Sequence, residues 1–173
     1  MKKSLGLWQF AGFTAVVALG TLLHFLYSWV KTPSIAILSA INESTWEHMK
    51  ILFFPMFIFA IVQSFFFKAE YPDFWTVKLL GTLLGTLLIP VLFYTISGAF
   101  GKTPDWLNIA FFFLSAGSGY ALEARLFRNE QQGKEGRFAL WIFIFIAVLF
   151  AAFTFFPPKL PLFQDPITGK YGI

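Results

Sequence analysis

The chain has 173 residues, 57% hydrophobic and only 13% charged, about half the roughly 25% charge of a soluble domain. Too little polar surface exists to cover a soluble globule, which points to a single all-α, polytopic transmembrane helical bundle. The net charge of +4 includes no basic cluster interleaved with exposed aromatics, so no nucleic acid partner is expected, and the absence of cysteine removes disulfides, thiolate nucleophiles and thiolate metal sites.

After Met1-Lys2-Lys3, the first apolar stretch runs from about Leu5 to Val30. It is too long for a signal-peptide core and no small-residue cleavage site follows it, so it reads as a retained span. The other stretches run from about Ile51 to Phe67, Phe74 to Phe100, Leu107 to Phe127 and Phe138 to Phe156. Each is near the ~20 residues that cross a ~30 Å hydrocarbon layer. The second would be short from Ile51, but Ser44 and Glu47 form an S-x-x-E capping box that starts the helix near Thr45. The expectation is therefore five spans within residues 1–156, followed by a proline-rich tail over residues 157–173.

Loop charge sets the expected orientation. With the N-terminus inside, the inner side holds Lys2, Lys3, Lys68, Lys78, Arg125, Arg128, Lys134 and Arg137, against Lys31, Lys50, Lys102, Lys159 and Lys170 outside. That balance favours N-in and C-out, with an extracytoplasmic tail.

Small residues recur at helical spacing. Gly81 and Gly85 form a GxxxG pattern, Ser115, Gly119 and Glu123 follow the same step, and Gly12, Val16 and Gly20 lead to His24. These positions read as close helix contacts. Pro55 and Pro90 remove backbone donors inside their helices and should bend them. No internal repeat is evident, so a transporter built on this chain would need to form a homo-oligomer.

The segment Asn42 to Lys50 places two acids, a histidine and a lysine against an apolar helix. Glu43 and Glu47 are one turn apart, while His48 points about 100° from Glu47. His24 lies roughly 9 Å inside the end of the first span, where an ionisable group is a functional candidate by default. Two carboxylates with one or two imidazoles could hold a divalent metal ion. The expected metal ligands are His24, Glu43 and Glu47; the wider ligand pocket adds His48 and Asp165.

The plainer reading has Glu47 capping the helix and pairing with Lys50, Trp46 anchoring at the interface, and His24 satisfying a polar partner. A third is a proton relay through His24 beside an acid. Asn42-Glu43-Ser44 also matches the short glycosylation sequon. Glu123 reads as a local ion pair or polar knot, with Arg125, Gln63 and Ser64 near it.

The tail from Pro157 to Ile173 carries four of the nine prolines. It reads as an extended segment anchored by Leu160, Leu162 and Phe163, with turns at Asp165-Pro166 and Thr168-Gly169. It could cover the outer mouth and bring Asp165 to the polar cluster.

The segments His24 to Trp29, Asn42 to Lys50 and Pro157 to Gly172 resemble those of a family of small bacterial integral membrane proteins of unknown function. The resemblance covers nearly the whole chain and implies a multi-pass protein of the bacterial cytoplasmic membrane. It transfers no activity. The leading expectation is a module of the lipid bilayer that binds a metal ion or small polar ligand in an outward-facing pocket. A membrane-embedded hydrolase or transferase is the alternative, with Glu43 or Glu47 as general base and His24 or His48 activating water or binding metal. A small transporter or transporter subunit is the third.

Overall fold

Six α-helices carry the described part of the chain, which in this computed structural model is residues 3–101, 103–128 and 136–173. They are α1 (Lys3–Val30), α2 (Pro33–Ala36), α3 (Thr45–Phe67), α4 (Phe74–Phe100), α5 (Asp105–Arg128) and α6 (Arg137–Phe155), followed by a 3-10 turn at Pro161–Phe163. Among the described residues there is no sheet, only an isolated bridge between Gln164 and Tyr171.

The long helices alternate in direction. Ser44 at the start of α3 bonds to His48, which meets His24 near the end of α1, and Thr45 reaches Tyr94 near the end of α4. Thr154 at the end of α6 reaches Glu47 at the same level. Gly81 early in α4 meets Glu123 late in α5, so these two run antiparallel. The histidines thus lie at one end of the bundle and the Lys78–Glu123 pair toward the other.

The core is centred on α3. Leu52, Phe53, Met56 and Ala60 are fully buried, and Phe53 touches Phe143 and Phe150 of α6. Phe10, Phe65, Phe138 and Trp141 are instead exposed around the outside, as lipid-facing side chains are.

Among the described residues four helices, α1, α3, α4 and α6, are long and apolar enough to cross a membrane. This corrects the expected five spans. α5 has a span's length, but Asp105, Asn108, Ser115, Ser118, Glu123, Arg125 and Arg128 make it too polar to qualify by itself. Its face of Ser115, Gly119 and Glu123 is buried against α4. The loop-charge count weakens for a related reason. Lys50 and Lys78 are fully buried members of ion pairs rather than loop charges, and Lys2, Lys102 and Lys134 lie outside the described residues.

The small-residue spacing does place close helix contacts. A Cβ added at Gly119 would stand 2.7 Å from the Gly81 carbonyl, and one at Gly85 would stand 2.9 Å from the Ser115 carbonyl. Backbone can touch backbone only because the side chains are missing. Pro55 leaves the Ile51 carbonyl without its helical donor, and Gly20 of α1 packs against that carbonyl, at 3.1 Å for an added Cβ. Both proline-bearing helices run on without interruption.

Gly119→Ala is expected to lower stability by about 1–3 kcal/mol through overpacking, read as a fall in Tm in detergent. Gly98→Ala is the matched control. Nothing lies within 4 Å of its added Cβ, so it should gain the roughly 0.8–1 kcal/mol of helix propensity that glycine forfeits.

Candidate metal centre

Ser44 is extended and caps α3, its hydroxyl accepting from the Glu47 amide at 3.4 Å. The capping box is only half made. The Glu47 carboxylate does not return to Ser44; it accepts from the Ile41 amide at 3.1 Å, while the Ser44 amide uses the Asn42 side chain. Glu43 therefore stands before the helix. The one-turn spacing expected between Glu43 and Glu47 does not apply to it, and the two acids part company.

Glu43 turns toward α1. Its Oε2 is 3.5 Å from His24 Nε2 and 3.5 Å from His48 Nε2, and the two imidazole nitrogens are 3.3 Å apart. The two histidines are about one quarter exposed, at 27% and 26%, and Glu43 at 42%. The hydrogen bond with His24 holds the Glu43 carboxyl below the usual glutamate range, helped by the nearby His48 and opposed by partial burial. The ionised form, the one a metal takes, is the favoured one.

His48 Nδ1 is 2.9 Å from the Ser44 carbonyl. A carbonyl oxygen only accepts, so Nδ1 carries the proton and Nε2 presents its lone pair to the cluster. A metal-binding histidine commonly has its other nitrogen fixed this way.

His24 is positioned by a residue that no motif signals. The Ser39 hydroxyl enters the α1 ladder, accepting from the Tyr27 amide at 2.9 Å and donating to the Leu23 carbonyl. The Ala40 amide donates to that same carbonyl at 3.1 Å. The segment after α2 is thus stitched to α1 on either side of His24. The reversal that allows this begins at Lys31, whose φ of 51° is left-handed, at a backbone cost of roughly 1–2 kcal/mol. Pro33 then opens the short α2.

The expected group of His24, Glu43 and Glu47 does not come together. His24 and Glu43 converge as expected, but the third group is His48, and these three form the cluster with metal-ligand spacing. Glu47 faces elsewhere, because consecutive helical residues point about 100° apart. Its Oε2 is 2.5 Å from Lys50 Nζ, and its Oε1 accepts from Thr154 at 3.2 Å. Lys50 is completely buried and also donates to the Ala36 carbonyl and the Thr154 hydroxyl, both at 2.8 Å. Of the plainer reading, the i,i+3 pairing of Glu47 with Lys50 holds, while its carboxylate does not cap the helix.

Asp165 is committed to the tail. Its oxygens accept from the Ile167 amide at 3.0 Å and the Thr168 hydroxyl at 2.6 Å, closing the turn over residues 166–168. The tail docks through Phe163, which packs on Trp46 and Phe153, and through the Gly172 carbonyl, which accepts from Asn42. Leu160, expected as an anchor, is 55% exposed. Trp46 belongs to this aromatic cluster with Phe150.

Glu123 forms the expected local ion pair, with a different partner. Lys78 of α4 takes it at 2.5 Å, both side chains fully buried, in place of Arg125. Lys78 also lies over the Tyr120 ring at 5.0 Å.

The family-model comparison covers the whole chain, residues 1–173. The protein belongs to the family of unknown function DUF6512. No curated protein and no solved structure matches it. It is a helical membrane-spanning member of that family, with a partly buried His/His/Glu cluster that could coordinate a metal.

Lys50→Ala is expected to cost about 3–5 kcal/mol, because it leaves the Glu47 carboxylate buried without its counter-ion. Glu47→Gln combined with Lys50→Met should cost clearly less than Lys50→Ala. Denaturation midpoints in detergent micelles read both.

Proposed function

We propose that this protein binds a divalent transition-metal ion, zinc by geometry, through His24, Glu43 and His48 at one surface of a bacterial cytoplasmic membrane. The near-equilateral triangle of ligand atoms carries the reading. Its edges are 3.3 Å between the two imidazole nitrogens and 3.5 Å from each to Glu43, the latter long for a hydrogen bond, whose optimum is roughly 2.9–3.0 Å. They match the edges of a tetrahedron with metal–ligand bonds of ~2.0–2.1 Å, about 3.3–3.4 Å. An octahedral face with similar bonds would have edges of about 3.0 Å, which disfavours an octahedral ion.

Three protein ligands leave a tetrahedral ion one open position. Beside the cluster is a cavity of about 230 Å³ that His24 and Glu43 help to line. These two facts favour hydrolysis as a second reading, in which an ion held by His24, Glu43 and His48 would supply Lewis acidity and an activated water beside the cavity. Glu47 would not be the base there, being occupied by Lys50 and Thr154.

Titration of the metal-stripped protein in lipid nanodiscs with Zn²⁺ is the test. One site per chain is expected. Since loss of an outer-shell partner costs about 10–100-fold in affinity, His24→Ala, Glu43→Ala and His48→Ala should each cost more than about 100-fold. Asp165→Asn should leave affinity unchanged. Sub-stoichiometric binding that survives all three alanine variants would end the proposal.

A further inference from the structure

The cavity beside the histidines is walled on its other side by the last turn of α1. His24, Tyr27, Ser28, Lys31, Asn42 and Glu43 supply its polar lining. Asn42 gives its amide to the Gly172 carbonyl, and Ser28 gives its hydroxyl proton to the Phe25 carbonyl at 2.6 Å. Among the described residues no hydrogen bond occupies the Lys31 ammonium, the Tyr27 hydroxyl or the second amide hydrogen of Asn42.

Lys31 is unusual in two respects. Among the described residues no carboxylate lies within ion-pair distance of it. It also occupies the left-handed position just past a helix end, φ 51°, where glycine is the residue that fits without strain. A long cationic side chain is thus kept at a backbone position that disfavours any side chain.

We infer that this cavity is an anion subsite, in which a phosphate group bridges the open vertex of the metal and the Lys31 ammonium. The inference rests on the metal-centre reading and gives that centre a ligand class. A bound divalent ion and Lys31 bring three positive charges to the cavity walls, and Glu43 supplies a single negative one. The excess is met by an anion carrying up to two charges. Phosphate offers separate oxygens to the metal and to the ammonium. The level in the membrane agrees, since exposed Trp29, stacked on Phe25, marks the headgroup region at this end of α1. A lipid headgroup and a free phosphate monoester present the same chemistry here.

Cobalt substitution keeps the two readings separable. The metal-stripped protein in a phosphate-free maltoside detergent is loaded with Co²⁺, whose visible spectrum reports tetrahedral coordination. It is then titrated with inorganic phosphate and, separately, with short-chain phosphatidic acid. The expected result is tetrahedral Co²⁺ bands that shift on saturation with at least one of these anions. Tighter binding of phosphatidic acid would identify the headgroup as the source, and tighter binding of inorganic phosphate the free anion. Lys31→Gly removes the ammonium while relieving the left-handed strain, so the fold and the Co²⁺ bands are retained. Anion affinity should fall by about tenfold or more. Tetrahedral bands that neither anion shifts, or anion affinity unchanged in Lys31→Gly, would overturn the subsite and leave the metal centre standing. Absence of tetrahedral bands in the unaltered protein would overturn both.

Discussion

The buried Glu47–Lys50 pair holds the histidine end of the bundle in place. An ammonium with no exposure at all can stay charged in such a place only if every donor finds an acceptor, and Lys50 finds three: Glu47 on its own helix, the Ala36 carbonyl of α2 and the Thr154 hydroxyl of α6. The charge requirement thereby fastens three elements together. Glu47 extends the fastening by accepting from the Ile41 amide, which fixes the loop that presents Glu43. Glu47 is thus a positioning residue for the cluster rather than a ligand of it.

A second stitch comes from the α1 side. Ser39 bonds to both the Leu23 carbonyl and the Tyr27 amide, one helical turn apart on α1. His24 lies within that turn, so its backbone is tied to the loop as well as to its own helix. Both stitches act on the same short segment between α1 and α3. A rigid segment matters because a coordination triangle tolerates only about half an ångström of error.

Much of the fold was legible because lipid imposes it. Long apolar runs, glycine spacing and the Ser44 cap fall where hydropathy and helix geometry put them. α5 shows the limit of that logic. Its length invites the reading of a span, yet Ser115, Gly119 and Glu123 face α4, and only tertiary packing reveals what covers them. At the site, His24 and Glu43 could be chosen from sequence because an imidazole inside an apolar helix needs a partner. The choice of Glu47 over His48 failed for a local reason. Helical spacing does not hold at Glu43, which precedes the cap, and the 100° between Glu47 and His48 sends the histidine, not the acid, toward α1. Ser39, Lys31 and Thr154 carry no motif. Their roles depend on where the chain reverses after α1 and on α6 returning to the same end, which periodicity does not encode. The Thr32-Pro33 start of α2 was the one available sign of that reversal.

X-ray absorption at the zinc edge tests the central claim most directly, because it reads the atoms around the ion rather than the presence of binding. On this account the Zn²⁺-loaded protein shows a four-coordinate shell of nitrogen and oxygen at about 2.0–2.1 Å, with the outer-shell scattering of two imidazoles. His48→Ala should reduce that signature to one imidazole. A shell of oxygen alone, without imidazole scattering, would contradict the assignment of His24, Glu43 and His48 as a metal centre.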